Sequence, residues 1–201
     1  MQGKSEIHLL FPTVVQLSEI ENAGELNRKL LKEIYEIQRT TPNTKPDSWA
    51  CNVYTTINSP MELFEIEGFR ELKDVILTEV TKYANTLKFD VANFKLRINE
   101  CWVNIYSTGH SQEMHIHQNS VISGIYFVKA PAGCSPVMFD SPVADIMLEP
   151  PKTETNSLNL LGTAVDALEG RMVIFRSYVR HGVKPNNIDE DRVSISFNVT
   201  M

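Results

Sequence analysis

The sequence predicts a mainly β protein in which N-terminal helices buttress an antiparallel β-sandwich or barrel. Two helical patterns before residue 90 and a run of short strand patterns after it support this fold class. The length of 201 residues suits one domain and is short for two. We therefore expect a single domain over residues 1–201, with a helical buttress in 1–90 and a β core in 91–201.

The helical part contains two segments whose apolar residues recur every three or four positions, which is typical of amphipathic helices. The first segment runs from about Asn22 to Gln38 and the second from about Phe69 to Leu87. A stretch rich in Pro, Asn and Thr, Thr40 to Asp47, lies between them and is followed by a short strand-like run, Ala50 to Ile57.

The part after residue 90 shows strand patterns bounded by turn residues such as Gly109. The stretch from Pro150 to Gly170 is either an irregular connection or a loop over a site. The predicted strands are Lys95 to Ser107, Glu113 to His117, Ser120 to Lys129, Val137 to Phe139, Arg171 to Phe175, Gly182 to Lys184 and Arg192 to Val199.

The overall charge argues against two classes of partner. The chain carries a net charge of −6 and a pI near 5.4, so non-specific binding to nucleic acid or to an anionic membrane is not expected. No apolar run is long enough to span a bilayer and the N-terminus lacks a signal-peptide layout. The scattered Cys51, Cys101 and Cys134 favour reduced thiols and a cytoplasmic location.

Three of the five histidines are the main candidates for metal ligands. His115 and His117 are two residues apart in a strand-like segment, so both imidazoles should emerge on the same face. His181 is the natural third ligand from a distant part of the chain. Imidazole ligands suit Fe, Zn, Cu or Ni, although the polar neighbours also fit a surface strand end. We interpret His8 and His110 as ordinary loop or surface residues.

Two strand patterns carry polar residues on one complete face. From Arg192 to Val199, polar and apolar residues alternate strictly, and Trp102, Asn104 and Tyr106 share one face of their own strand. Such faces either point to solvent or line the inside of a barrel. In the second case Arg192 and Ser194 offer a guanidinium fork and a hydroxyl to a carboxylate, and a tyrosine from another strand could complete the clamp.

These motifs occur in an order that resembles a known enzyme family. Tyr106-x-x-Gly109, His115-x-His117, His181 and Arg192-x-Ser194 follow one another as in the 2-oxoglutarate- and Fe(II)-dependent oxygenases, and the resemblance covers roughly residues 95–199. It is more specific to a bacterial and bacteriophage subgroup that carries H-x-H where most relatives carry H-x-D. The resemblance implies a double-stranded β-helix, also called a jelly roll, which is a cupin-like barrel.

The resemblance also implies a role for each candidate residue. His115, His117 and His181 would hold Fe(II), and Arg192, helped by Ser194 and Tyr106, would bind the distal carboxylate of the co-substrate 2-oxoglutarate. With O2, the enzyme would decarboxylate 2-oxoglutarate to succinate and hydroxylate a C–H bond of a peptide or small-molecule substrate. Because His117 replaces a carboxylate, the metal would keep its full +2 charge, which should change iron affinity and redox behaviour. Asn104, Tyr126 and Asn198 are implied as further pocket residues.

Two alternatives stay open at this point. One is a three-histidine metal dioxygenase that oxidises a small thiol or aromatic substrate without a keto acid, for which Arg192 would bind no co-substrate. The other is a non-catalytic jelly-roll binding protein whose H-x-H is a relic or a structural zinc site. The sequence lacks the motifs of α/β hydrolases, phosphate-binding loops and zinc ribbons. Substrate identity and oligomeric state are open, with a homodimer among the options.

Overall fold

A computed structural model describes residues 3–144 and 148–201. The described part contains two long helices, a short 3₁₀ turn at Leu63–Glu65 and ten strands. In chain order the elements are β1 Val15–Glu19, α1 Ala23–Thr40, β2 Tyr54–Thr55, α2 Glu67–Thr86, β3 Arg97–Tyr106, β4 Gln112–His115, β5 Ile122–Lys129, β6 Val137–Asp140, β7 Gly162–Val165, β8 Arg171–Arg176, β9 His181–Val183 and β10 Arg192–Thr200.

The strands form two antiparallel sheets. The larger sheet has the order β1-β8-β5-β10-β3-β2 and the smaller one has the order β4-β9-β6-β7. Ile125 and Phe175 of the larger sheet pack with Val137 and Phe139 of the smaller one, so the two sheets share a core. The predicted mainly β architecture is therefore confirmed, and both predicted helices are present with ends within two residues of the expected ones.

Both helices cover the outer face of the larger sheet. Leu30 and Ile34 of α1 and Ile76 of α2 are fully buried against apolar residues of β10 such as Ile195 and Phe197. The apolar stripes read from the sequence are thus the faces that the helices bury, which is where an amphipathic helix gains its stability. No helix in the described ranges is both long and apolar enough to cross a membrane.

The inner face of the larger sheet is polar and nevertheless buried. Arg192, Ser194 and Asn198 of β10 are each at most 1 % exposed. They alternate with the apolar residues that meet the helices, so they point toward the smaller sheet. Of the two locations that the alternation allowed, the inside of the barrel is the one observed.

Three predicted boundaries need correction. The strand-like run from Ala50 to Ile57 contains only the two-residue β2, and the strand predicted to reach His117 ends at His115. The stretch from Pro150 to Gly170 contains the edge strand β7, which pairs with β6. Strand β1 was not predicted. Both β1 and β7 are edge strands with largely exposed or half-exposed side chains, so the chain lacks the buried alternation that marks a strand.

Candidate metal centre

The fold brings the three candidate histidines together at the end of the smaller sheet. His115 ends β4 and His181 begins β9, and the two residues are direct partners across the strand pair. His117 lies just beyond β4, where its backbone N–H donates to the carbonyl oxygen of Ser177 at 3.0 Å. One ring nitrogen from each histidine lies within 4.8 Å of the others, the only such His, Cys, Asp or Glu group in the described ranges. The arrangement suits one metal ion.

Two of the imidazoles have a defined tautomer. His115 Nδ1 lies 2.7 Å from the carbonyl oxygen of Glu113, and His181 Nδ1 lies 3.0 Å from that of Val179. A carbonyl oxygen only accepts, so Nδ1 carries the proton in both rings and Nε2 keeps a lone pair. In metal sites, a histidine ligand is oriented by the hydrogen bond of the ring nitrogen that does not bind the metal, which here is Nδ1.

Burial keeps all three imidazoles neutral. It lowers the pKa of His117 from 6.5 to about 4, with a smaller contribution from His115. Burial also lowers the pKa of His115, and it lowers that of His181 well below the ordinary range. Since a metal binds only a neutral imidazole, a cation does not have to compete with imidazolium formation at this site at neutral pH.

Aromatic side chains surround the histidines. The ring of Phe175 lies 4.6 Å from that of His181, and the Trp102 indole lies 5.7 Å from the His117 ring. On the other side, the Trp49 indole lies 6.3 Å from the His115 ring. Low-polarity walls of this kind strengthen electrostatic interactions within a site and restrict access of water.

Arg192, on the inner face of the larger sheet, is the second chemical feature of the barrel. Its side chain is fully buried, and none of its three guanidinium nitrogens has a hydrogen-bond partner in the part of the chain that the structure describes. The guanidinium lies 4.8 Å from the Tyr106 ring and 4.9 Å from the Phe127 ring. Burial lowers the pKa of Arg192, yet a guanidinium keeps its proton in proteins. A buried, unpartnered cation indicates an anionic ligand.

Comparisons with known proteins agree with this pair of features. A family model described as "Putative 2OG-Fe(II) oxygenase" matches residues 100–198, which include all three histidines and Arg192. This part of the chain belongs to the 2OG-Fe(II) oxygenase family. No curated protein sequence matches it significantly.

Solved structures of several oxygenases share the fold at low sequence identity. A prolyl-4-hydroxylase from Pseudomonas putida has a TM-score of 0.61 at 14 % identity, covering 94 % of this chain and 92 % of its own. HygX from Streptomyces hygroscopicus, solved with nickel and 2-oxoglutarate, has a TM-score of 0.62 at 12 % identity over 94 % and 83 % of the two chains. A prolyl hydroxylase from Trichoplax adhaerens, in complex with a peptide fragment, scores 0.64 at 13 % identity over 92 % and 83 %. The jelly-roll prediction is thereby confirmed.

The other predicted pocket residues of this oxygenase fall on the inner face, with one exception. Tyr106 is the cross-strand partner of Arg192, and Ser194 is that of Asn104. Burial raises the pKa of Tyr106 to about 12, so its hydroxyl stays protonated and can donate. With its amide turned over, the Asn104 side chain is fully engaged within the protein: its nitrogen donates to Thr55 Oγ1 at 2.8 Å, and its oxygen accepts from Ser196 and Trp102.

Tyr126 is the exception, and its predicted place in the pocket is corrected. Its side chain lies on the outer face of β5, within the core that the helices cover. There its hydroxyl donates to Asn27 Oδ1 at 2.6 Å. The neighbouring Ile125 and Phe127 occupy the inner face, so the strand pleat directs Tyr126 toward α1.

Several site residues of the oxygenase were not predicted. Glu113 accepts hydrogen bonds from the backbone N–H groups of Ala50 at 2.5 Å and Cys51 at 3.0 Å, which ties the loop of Trp49 to β4. Asn198, which the resemblance implied as a pocket residue, lies beside His117 and bonds to Ser123 and Glu100, two residues that were not predicted. These contacts join residues far apart in the chain, and no local pattern announces them.

Proposed function

We propose that this oxygenase decarboxylates 2-oxoglutarate to succinate and uses O2 to hydroxylate a C–H bond of a peptide or small-molecule substrate. The observation that carries the proposal is that the barrel combines three neutral imidazoles at the end of the smaller sheet with an unpartnered, buried guanidinium on the inner face of the larger sheet. A metal cation and a dicarboxylate would complete these two features.

The donor set supports Fe(II) as the metal. His115, His117 and His181 would hold it, and imidazole nitrogen is a ligand that Fe(II) accepts readily. When bound, Fe(II) supplies the activation of O2 and the oxidising chemistry. The protein keeps the imidazoles neutral through burial and fixes two of them through the carbonyl oxygens of Glu113 and Val179. No carboxylate belongs to the group of ligand atoms in the described ranges, so the metal would keep its full charge.

The co-substrate proposal depends on Arg192. The guanidinium can donate two parallel hydrogen bonds to the distal carboxylate of 2-oxoglutarate, a geometry that a lysine cannot reproduce. The rings of Tyr106 and Phe127 pack against the guanidinium and restrict its position. The Tyr106 hydroxyl, which burial keeps protonated, and the Ser194 hydroxyl can act as further donors to the ligand. Pairing would remove the cost of the buried, unpaired cation.

Similar structures, the two tryptophans near the histidines and the net charge support a peptide or a small molecule as the substrate. The structurally similar HygX has also been solved with hygromycin B, and the similar Trichoplax adhaerens enzyme with a peptide. Trp49 and Trp102 stand on either side of the histidines and would offer flat apolar surfaces to either kind of substrate. The net charge of −6 weighs against nucleic acid. We further propose that residues 1–201 act as one domain in the cytoplasm, which the three free cysteines support.

Succinate formation tests this function directly. Purified protein with Fe(II), 2-oxoglutarate and O2 should form succinate slowly even without substrate, as followed by proton NMR. His181→Ala and Arg192→Met should reduce this turnover to the background rate. His110→Ala is the matched control, because His110 lies outside the histidine group and should leave turnover unchanged. If Arg192→Met turned over 2-oxoglutarate normally, or wild type did not at all, the proposal would fail.

A further inference from the structure

His117 differs from the other two histidines in what its second ring nitrogen meets. Its Nδ1 lies 3.3 Å from Nδ2 of the buried Asn198 side chain. In His115 and His181 the corresponding nitrogen meets a carbonyl oxygen, which accepts a proton. An amide nitrogen only donates, so the contact at His117 has the opposite polarity.

The orientation of the Asn198 amide is fixed by its other partners. Ser123 Oγ donates to Asn198 Oδ1 at 2.7 Å, and Glu100 Oε2 accepts from Asn198 Nδ2 at 2.5 Å. Ser123 has one hydroxyl proton, so Ser177 Oγ, 2.8 Å away, must donate to Ser123 in turn. The serine hydroxyls could reverse their roles, but the carboxylate of Glu100 only accepts, so Glu100 places the nitrogen of Asn198, not its oxygen, against His117.

The contact with Asn198 determines which ring nitrogen of His117 carries the proton. With an N–H of Asn198 directed at it, Nδ1 must be the unprotonated, accepting nitrogen. A neutral imidazole then carries its proton on Nε2, so neither nitrogen has a lone pair to give to a metal. His115 and His181 have no such obstacle.

We propose that Asn198 is a positioning residue that holds metal-free His117 in a tautomer unable to bind metal, and that Glu100 locks this state. Ligation by His117 through Nε2 then requires the Asn198 amide to turn over, so that its oxygen accepts a proton from Nδ1. The inference rests on the proposed function, because it takes the histidine group to be the Fe(II) site.

The hydrogen bonds around Asn198 allow its side-chain amide to rotate by half a turn, with one exception. After it, Asn198 Nδ2 can donate to Ser123, and Ser123 can donate to Ser177, because a hydroxyl both donates and accepts. The carboxylate of Glu100 would instead face the amide oxygen, and two acceptors repel. Glu100 is exposed and can move into water, so it would release Asn198 when the metal binds.

The key test is Glu100→Gln, with affinity for Fe(II) measured anaerobically by calorimetry. A glutamine can donate to the turned amide oxygen, so we expect binding to tighten roughly tenfold, the scale at which outer hydrogen bonds affect metal sites. If the only effect of Glu100→Gln were the loss of a nearby negative charge, Fe(II) would instead bind more weakly. Glu62→Gln is the matched control: it removes an exposed charge lining the same surface depression as Glu100, so it should leave affinity unchanged or slightly weaker.

A second variant separates positioning from a general structural role. Asn198→Asp supplies an acceptor to His117 in either rotation, and it should bind Fe(II) at least as tightly as wild type. Asn198→Leu offers no acceptor and should bind more weakly than Asn198→Asp. Equal affinities for these two variants would contradict the positioning role.

Nitrogen-15 NMR of the imidazoles reads the tautomer itself. In metal-free wild-type protein we expect the His117 proton on Nε2, and after addition of Zn(II), a diamagnetic probe, we expect it on Nδ1. A proton on Nδ1 before metal is added, or weaker Fe(II) binding by Glu100→Gln, would overturn the inference. Failure of wild type to bind any metal would instead overturn the proposed function, while the tautomer in the metal-free protein would still be measured.

Discussion

Both faces of β10 are largely buried, but they are chemically opposite. The face toward the helices consists of Val193, Ile195, Phe197 and Val199, whose burial contributes favourable free energy. The other face includes Arg192 and Asn198, whose burial costs free energy unless each polar atom finds a partner. The comparison indicates that the outer face determines stability, whereas the inner face is completed by ligands and determines function.

The largest effect is expected where one of the three histidines that face the barrel interior from the smaller sheet is removed. His181→Ala should weaken binding of Fe(II) by at least about 100-fold, since metal sites lose up to this much even when only an outer hydrogen bond is removed. Stability of the metal-free protein should change little beyond the loss of ring packing. Calorimetry under anaerobic conditions measures the affinity. Unchanged affinity would mean that the histidine group is not the metal site.

Arg192→Met should separate binding from stability. Loss of the guanidinium should weaken 2-oxoglutarate binding by at least about 30-fold, the lower end of the cost of breaking a buried charge pair. The metal-free protein should become more stable by about 1–3 kcal/mol, because methionine fills much of the volume without an unpaired buried charge. Urea unfolding and calorimetry measure the two quantities. A destabilised protein with normal 2-oxoglutarate affinity would show that Arg192 is structural.

The smallest effects compare two tyrosines on opposite faces. Tyr126→Phe removes the hydroxyl that donates to Asn27 and should cost about 1–2 kcal/mol of unfolding free energy, with no change in 2-oxoglutarate affinity. Tyr106→Phe should do the reverse, weakening 2-oxoglutarate binding several-fold while stability stays within about 0.5 kcal/mol. If both variants changed the same quantity, the division between the two faces would be wrong.

The elements that were predicted from the sequence are those whose apolar residues recur at a regular interval. The two helices show an apolar stripe, and β10 alternates strictly, so its polar inner face was visible as a pattern. Strand β5 is different: almost all of its residues are buried on both sides, so its pattern does not show which face Tyr126 occupies. The prediction that Tyr126 lines the pocket therefore depended on the family resemblance alone, and the residue lies on the opposite face.

The candidate site was predictable only in part, for a related reason. His115, His117 and His181 were selected by spacing and by resemblance, and their proximity follows from the pairing of β4 with β9. The carbonyl oxygens that orient His115 and His181 are two residues away in the chain, but the side-chain contacts around the site are non-local. Asn198 is 81 positions from His117, and Glu113 is 63 positions from the Ala50 N–H that it holds. Such contacts depend on how the two sheets pack, which no local pattern in the sequence records.

The most direct test of the central claim is an anaerobic titration of the protein with Fe(II) and 2-oxoglutarate, followed through the visible charge-transfer band of the iron–keto acid chelate. We predict a band that saturates at one equivalent of each ligand in wild type and is weakened or lost in Arg192→Met at the same concentrations, although Fe(II) still binds that variant. Fe(II) bound to wild type without any band, or an equally strong band at equal affinity in Arg192→Met, would contradict the account.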